Sequence, residues 1–249
     1  MVIITRMVNI LLNDTKFGAS WAYASLSPYL TKESKVLILP LIHSEGWSSD
    51  EEEWEHQYQK GGKKYNQIIS SFHNYLIPEK NITFFQPYKD SKETFQALLK
   101  QSDIVYLYGD DAEHMMMCMQ DLELKEVFLK YDGIIMSNHA GSNLIMRNYD
   151  SKYEWEGEEL EGLGLLEGFA LMPDYMEDAA HLARLIRNIE QRGNSVLVFG
   201  KDGGAVIQDA HYELLGNAFT VSYDDLDSIY HAYEDAKSRL EYYGDNGLW

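Results

Sequence analysis

The sequence predicts an α/β fold with a mostly parallel, doubly wound sheet and a small antiparallel extension towards the C-terminus. Three observations predict it. Short apolar runs alternate with segments of helical periodicity, several of these runs are apolar on both faces, and after Val196 the alternation gives way to short strands separated by turn residues. No repeat, low-complexity tract or linker composition divides the 249 residues, so we expect one domain covering residues 1–249.

The predicted strands of the main sheet are short runs rich in Val, Ile, Leu and aromatic residues. They cover residues 8–13, 35–41, 82–88, 104–109, 133–138 and 196–200. Beyond them, turns at Asp202-Gly203-Gly204 and at Leu215-Gly216-Asn217 would separate short strands over residues 205–209 and 218–222. These last strands form the predicted antiparallel extension.

The segments between the predicted strands have the periodicity of amphipathic helices. They cover residues 48–76, with a break at Gly61-Gly62, and residues 92–101, 112–131, 178–193 and 224–244. Ser48 with Glu51, or Ser49 with Glu52, would make a capping box at the first of them. Gly193 has the position of a helix C-cap.

The chain is strongly acidic, with 21 Lys and Arg against 40 Asp and Glu and a formal charge of −19. Such a surface repels phosphate backbones and anionic lipid, so we expect neither nucleic acid nor membrane as a partner. The one cysteine, Cys118, excludes an internal disulfide and lies in an apolar helical stretch. Without a signal peptide or an apolar segment long enough to span a bilayer, we expect a cytoplasmic protein.

The stretch GIIMSNHAGSNLI, residues 133–145, has the pattern of a nucleophile elbow. An apolar run ends in a small polar turn, and a helix-forming segment follows directly after Ala140-Gly141. In such an elbow a tight strand-to-helix turn exposes one side chain over the carboxyl end of a sheet. Here that side chain would be His139.

Two further stretches are unusual, Gly109-Asp110-Asp111 after a predicted strand and residues 160–178, LEGLGLLEGFALMPDYMED. With the elbow and with residues 202–221, they resemble in order and spacing the motifs of peptidase family S51, which includes dipeptidase E and the cyanophycinases. That family has a Gly-Gly-Gly-Asn type loop, a Ser-Ala-Gly-Ala-Asn type elbow, a Gly-Leu-Gly-Leu stretch ending in Pro-His, and a Gly-x-Ala-Leu strand before a Leu-Gly-Asn turn. The resemblance covers roughly residues 7–223 and implies a fold like that of the class I glutamine amidotransferases.

The resemblance also implies site residues, and here the chain departs from the family. His139 stands where the family has its serine, and Asp174 stands where it has its histidine base. Glu154 or Asp150 would be the third member of the triad, and the sequence does not choose between them. The oxyanion-like positions would be Asp110 and Ala140.

These departures predict that peptidase activity of the family's type is lost. A carboxylate is a weak base at neutral pH, and the side chain of Asp110 would add negative charge where negative charge must develop in the reaction. Ser137 and Ser142 flank His139 and are alternative nucleophiles, although structural roles in the turn fit both better. We therefore expect a degenerate serine-hydrolase site in a protein with a binding or regulatory role.

Other functions stay open. One is an active peptidase or amidase that acts on small aspartyl peptides through a rearranged site, with Arg147 and Lys152 as the available cations. Another is a structural subunit of a homodimer. His139, Asp174 and Asp110 could form a metal site, but no compact ligand motif supports one, so we expect no metal or other cofactor. The expected partner is a small peptide or an amino-acid-like ligand.

Overall fold

A computed structural model describes residues 7–41, 51–151, 158–209 and 211–245, with side chains up to residue 239. Its strands are β1 (Val8–Leu12), β2 (Val36–Pro40), β3 (Ile82–Phe84), β4 (Ile104–Tyr108), β5 (Ile134–Asn138), β6 (Asn148–Asp150), β7 (Glu159–Glu161), β8 (Ala170–Met172), β9 (Val196–Gln208) and β10 (His211–Val221). Eight of them form one sheet in the order β10-β9-β1-β5-β4-β2-β3, with β8 paired to β9. β6 and β7 form a separate antiparallel pair.

The sheet is mostly parallel, as the sequence predicts. β1, β5, β4, β2 and β3 run in one direction, and β8 is parallel to the first part of β9. β9 is antiparallel to β1 and to β10, which gives the predicted antiparallel extension. The carboxyl ends of β1, β5 and β4 therefore meet at one edge.

Helices cover both faces of the sheet, and the central strands are therefore buried on both sides. The helices are α1 (Ser20–Leu26), α2 (Glu51–Tyr58), α3 (Lys63–His73), α4 (Lys92–Leu99), α5 (Ala112–Asp121), α6 (Lys125–Phe128), α7 (Ala140–Leu144), α8 (Ala179–Glu190) and α9 (Leu226–Asp245). In β1, Ile10 and Leu12 pack with α1, α2 and α3, whereas Leu11 packs with the apolar faces of α4, α5, α6 and α7. A third cluster joins α8 and α9 to β8 and β9.

The predicted turns of the C-terminal region are wrong. Residues 202–204 lie inside the continuous strand β9, and residues 215–217 lie inside β10. Asp202 and Gly216 have positive φ angles of 58° and 53°, and the register shifts between Gly216 and Ala218. A Cβ atom at position 216 would collide with the Asp202 carbonyl. The turn-type residues thus bend a long hairpin at a β-bulge instead of ending its strands.

The helix predictions hold with one exception. Gly61, at φ 97°, separates α2 from α3 as expected. The single helix predicted over residues 112–131 is wrong, because Glu123 adopts φ 53° and divides it into α5 and α6. The capping boxes at Ser48 and Ser49 lie outside the described residues. Within the described ranges, none of the helices combines the length and apolar character that crossing a bilayer requires.

Candidate functional site

The candidate site lies at the edge where three parallel strands end. β5 is flanked by β1 and β4, with Leu12 opposite Asn138 on one side and Leu107 opposite Ser137 on the other. His139 follows β5 directly. Asn13 and Asp14 therefore continue β1 on one side of it, and Gly109 and Asp110 continue β4 on the other. In an open α/β sheet this edge is where ligands bind.

His139 has the backbone geometry of an elbow residue. Its φ is 45° and its ψ is −121°, a conformation that L-residues rarely adopt, and α7 begins at the next residue. Its N–H donates to the Leu12 carbonyl at 3.0 Å, and its own carbonyl accepts the Ser142 N–H at 2.9 Å. A Cβ atom at Gly141 would lie 2.9 Å from the Leu107 carbonyl oxygen, so α7 sits against β4 only because residue 141 is glycine.

Asp174 lies beside the His139 ring. The His139 Nδ1 and Asp174 Oδ2 atoms are 2.8 Å apart, and the two side chains are 35% and 57% exposed. Asp174 follows β8 and has φ 54°. Its N–H donates to Asn13 Oδ1 at 2.8 Å, and the N–H of Tyr175 donates to the Phe199 carbonyl at 2.9 Å. Asn13 after β1 and Phe199 within β9 thus fix the backbone that carries the Asp174 carboxylate.

The charges around His139 favour the protonated ring. Burial of the ring lowers its pKa, but the hydrogen bond to Asp174 and the charges of Asp174, Asp110 and Asp14 outweigh this effect. The pKa of His139 is therefore raised above its ordinary value. Since an imidazolium has no free lone pair, the raised pKa reduces the share of rings that could act as a nucleophile or a base at neutral pH.

Ser137 and Ser142, the alternative nucleophiles, lie beneath the elbow. Both residues are fully buried, and their Oγ atoms are 3.0 Å apart. The Ser142 hydroxyl also lies 3.5 Å from the Leu12 carbonyl oxygen. A hydroxyl that is closed off from solvent and bonded to another hydroxyl has neither access to a substrate nor a base to take its proton. The geometry therefore favours a structural role for both serines.

The oxyanion-like positions flank the elbow. Ala140 is the first residue of α7, and Asp110 is exposed between β4 and α5. The next residue, Asp111, is buried and caps α5, where its carboxylate accepts the His114 N–H at 3.0 Å. Asp110 therefore presents a carboxylate at the open side of the site, and its charge reaches the His139 ring.

Asp150, one candidate for the third triad position, has its hydrogen-bond and ion-pair partners away from the elbow. Its side chain is only 8% exposed, and Asn188 donates to it at 3.2 Å. Arg184, Arg187 and Arg192 form ion pairs with the same carboxylate. No contact among the described residues joins Asp150 to His139 or Asp174. The other candidate, Glu154, lies outside the described residues.

Within the described residues, the predicted cations are not found at the elbow, and the possible metal ligands there do not form a metal-binding group. Arg147 forms an ion pair with Glu167 at 2.5 Å, and Lys152 lies outside the described residues. No group of three or more His, Cys, Asp or Glu within the described ranges is arranged to hold a metal ion.

Two site residues were not anticipated from the sequence. Asn13 anchors the Asp174 backbone, and Asp14 adds a third carboxylate near the imidazole. Both follow β1, and polar residues at the end of an apolar strand are a pattern that could have indicated a site. Their place beside His139 depends on the pairing of β1 with β5, which the order of the strands in the chain does not reveal.

Comparisons with known proteins are informative only at the level of structure. No family model matches the sequence, and no curated protein matches it significantly. The fold is similar to that of a candidate peptidase E protein from Listeria monocytogenes EGD-e, with a TM-score of 0.59, 9% sequence identity and coverage of 84% of this chain and 97% of that one. It is also similar to a peptidase from an acI-B1 actinobacterium, with a TM-score of 0.61, 12% identity and coverage of 88% and 95%. At these identities the likeness establishes the fold, and it confirms the predicted α/β architecture.

Proposed function

We propose that this chain is a single-domain, peptidase E-like protein whose hydrolase site is degenerate and which binds a small peptide or amino-acid-like ligand. The observation that carries the proposal is the occupant of the elbow, a histidine paired with a carboxylate at 2.8 Å. A serine hydrolase needs a hydroxyl paired with an imidazole at this place. The present pair is already satisfied by its own opposite charges.

The chemistry of hydrolysis is disfavoured at three points. The raised pKa of His139 increases the share of protonated rings, which makes the residue a poorer nucleophile. Asp174, in the position of the base, is a carboxylate, and carboxylates are weaker bases than imidazoles. Asp110 and Asp14 bring negative charge to the region where an oxyanion would form. Loss of even one oxyanion donor slows such enzymes by roughly 10²–10³-fold.

A second function has one observation in its favour. A carboxylate bonded to Nδ1 of a histidine is the arrangement that orients the base of a catalytic triad. If Asp174 orients His139 in this way, Nε2 of the ring could activate a water molecule against an acyl group. This alternative is an active peptidase or amidase that uses a rearranged site, with aspartyl peptides suggested by the family resemblance.

A substrate panel distinguishes the two functions. The full chain, the His139→Ala variant and a His211→Ala control, which alters an exposed histidine on β10, are incubated with aspartyl dipeptides and with activated esters. We expect no turnover above background from any of the three proteins. Turnover by wild type and by the control that disappears in His139→Ala would reject the degenerate site and support the alternative.

The same compounds test the binding role by their effect on the melting temperature. A ligand that binds only the folded chain raises the free energy of unfolding. Above Kd, this increase grows with the logarithm of the ligand concentration. We expect at least one compound to stabilise wild type and the His211→Ala control but not His139→Ala. Equal stabilisation of all three proteins, or of none, would contradict a ligand site at the elbow.

A further inference from the structure

Lys64, on α3, approaches the candidate site from the face of the sheet that α1, α2 and α3 cover. Its Nζ atom donates to the Tyr108 hydroxyl at 3.1 Å and lies 5.4 Å from the centre of the Tyr108 ring. Tyr108 is the last residue of β4, and the register of β4 on β5 places it beside Asn138, the residue before His139. The ammonium group of Lys64 is therefore held by the strand next to the elbow.

The same carboxylates act on the Lys64–Tyr108 pair and on the elbow. Burial raises the pKa of Tyr108, Lys64 lowers it, and the charges of Asp110 and Asp14 raise it further. Burial lowers the pKa of His139, and the same two charges raise it. Lys64 and His139 therefore border one acidic edge, which the residues that follow β1 and β4 form.

Lys64 is a half-buried cation without a carboxylate partner. Within the described residues its side chain forms no ion pair, and the Tyr108 hydroxyl is its one hydrogen-bond partner. Burial lowers the pKa of Lys64, but Tyr108 and the charge of Asp110 outweigh this effect and raise it above its ordinary value. The group is therefore an ammonium at neutral pH. An ammonium has three donors, so two remain for an acceptor that the described chain does not supply.

The position of Lys64 does not serve the stability of α3. Lys63 and Lys64 are the first two residues of this helix, which has no acidic residue in its first turn and no side-chain cap at Gly62. A cation at a helix N-terminus opposes the helix dipole, and partial burial adds a desolvation cost. Departures from such local rules are expected at functional sites. Ligand recognition gives Lys64 a role that folding does not.

Asp110 and His139 offer complementary groups at the same edge. The Asp110 side chain is exposed and forms no ion pair or hydrogen bond with any described residue. His139 uses Nδ1 for Asp174, which leaves Nε2–H as a further donor when the ring is protonated. The edge thus presents an ammonium group, a carboxylate and an imidazolium N–H to one ligand.

We propose that Lys64 binds the carboxylate of the ligand at the elbow, and that this ligand is a zwitterionic dipeptide. The ammonium group of the ligand lies at Asp110, and His139 Nε2–H donates to its peptide oxygen. A ligand with a carboxylate alone would be repelled by Asp110 and Asp14, whereas a zwitterion matches both signs of charge. The inference rests on the proposed function and adds to it the residue that selects the ligand.

The test is isothermal titration calorimetry of the full chain with glycyl-leucine and with glycyl-leucine amide, which lacks the carboxylate. N-acetyl-glycyl-leucine, which lacks the ammonium group, is titrated in parallel. The informative variants are Lys64→Gln and Lys64→Met, which introduce neutral side chains of similar length. Lys63→Gln is the matched control, because Lys63 is the exposed neighbour of Lys64 on α3. Since Lys64 opposes the helix dipole, both variants should fold, which their melting temperatures verify.

We expect wild type and Lys63→Gln to bind glycyl-leucine about tenfold more tightly than its amide, because the amide loses a charged hydrogen bond. In both Lys64 variants the peptide and its amide should bind equally, within about threefold, because the group that distinguishes them is gone. N-acetyl-glycyl-leucine should bind wild type more weakly than glycyl-leucine does. His139→Ala should bind none of the three peptides.

The inference is overturned if wild type does not prefer glycyl-leucine to its amide, if the preference persists in both Lys64 variants, or if the acetylated peptide binds as tightly as glycyl-leucine. Unfolding of both variants would give Lys64 a structural role and also overturn it. Binding that is lost in His139→Ala but unaffected at Lys64 would overturn the role of Lys64 and leave the proposed function standing. Absence of binding by these peptides and by every aspartyl dipeptide of the panel would overturn both.

Discussion

Replacing His139 by glycine and by alanine measures the strain of the elbow. Position 139 has φ 45° and ψ −121°, a region that glycine enters without steric cost, whereas a residue with a Cβ pays about 1–3 kcal/mol there. Both variants lose the same ion pair with Asp174, so that loss cancels in the comparison. At ordinary positions alanine is the more stabilising of the two residues. At position 139 the order should be reversed.

We expect the His139→Gly variant to be about 1–2 kcal/mol more stable than the His139→Ala variant, since glycine's greater freedom in the unfolded chain offsets part of the strain. Urea unfolding followed by circular dichroism gives the two free energies of unfolding, and equal m-values verify that the unfolded states are comparable. His181 provides the matched control, because it lies in the first turn of α8. There alanine should be the more stable residue by about 0.5–1 kcal/mol.

The reasoning is refuted if His139→Ala is as stable as His139→Gly or more so. Position 139 would then not have the strained conformation, and the elbow would not be present in solution. If alanine were the more stable residue at both positions, the comparison would report helix propensity and not local strain.

Three other predictions concern charge and hydrogen bonding. Asp150→Asn should reduce the free energy of unfolding by about 2 kcal/mol in urea titrations, since it removes the buried carboxylate that pairs with Arg184, Arg187 and Arg192. An unchanged value would contradict these ion pairs. Ser142→Ala should reduce the free energy of unfolding by about 1–2 kcal/mol, because the buried Ser137 hydroxyl loses its partner. An unchanged value in urea titrations would contradict the paired hydroxyls. Asp174→Asn should be about 0.5–1 kcal/mol less stable than wild type below about pH 6.5, and the difference should disappear as the pH rises through the raised pKa of His139. Thermal melts across the pH range measure this difference, and a difference that grew with pH would contradict the prediction.

The central sheet could be predicted from the sequence because its strands are buried on both faces. Residues 8–12, 36–40, 104–108 and 134–138 are short runs in which apolar residues predominate, and every one of them forms a strand. Strand order could not be predicted in the same way. The neighbours of β5 are β1 and β4, and this pairing depends on long-range packing that leaves no local pattern in the chain.

The wrong secondary-structure predictions occur at residues with positive φ angles, because the residue type at these positions does not show whether a strand or helix ends there. Asp202 and Gly216 were interpreted as ends of strands, but the flanking apolar residues continue the ladder and the two residues bend it. Glu123 divides α5 from α6 without a glycine or proline to signal it. In both places tertiary packing decides the conformation, and local preference does not.

The elbow was the most predictable part of the site, because its residue types are demanded by geometry. A small residue at position 141 permits the contact with β4, and a strand precedes it directly. The ion pairs of Asp150 were missed. Arg184 and Arg187 are three residues apart on α8, a spacing that places them on one face of the helix, and Arg192 follows the end of the helix. Their common partner Asp150 is contributed by β6 and could not be inferred.

The most direct test of the proposed site is the ionisation of the His139 imidazole, followed by NMR titration and assigned by the signal that is missing in His139→Ala. The account predicts a pKa above the value of about 6.5 for a free histidine in wild type, and a fall in that pKa when Asp174 is replaced by asparagine. A pKa at or below the free value that does not respond to Asp174→Asn would show that no imidazolium–carboxylate pair occupies the elbow.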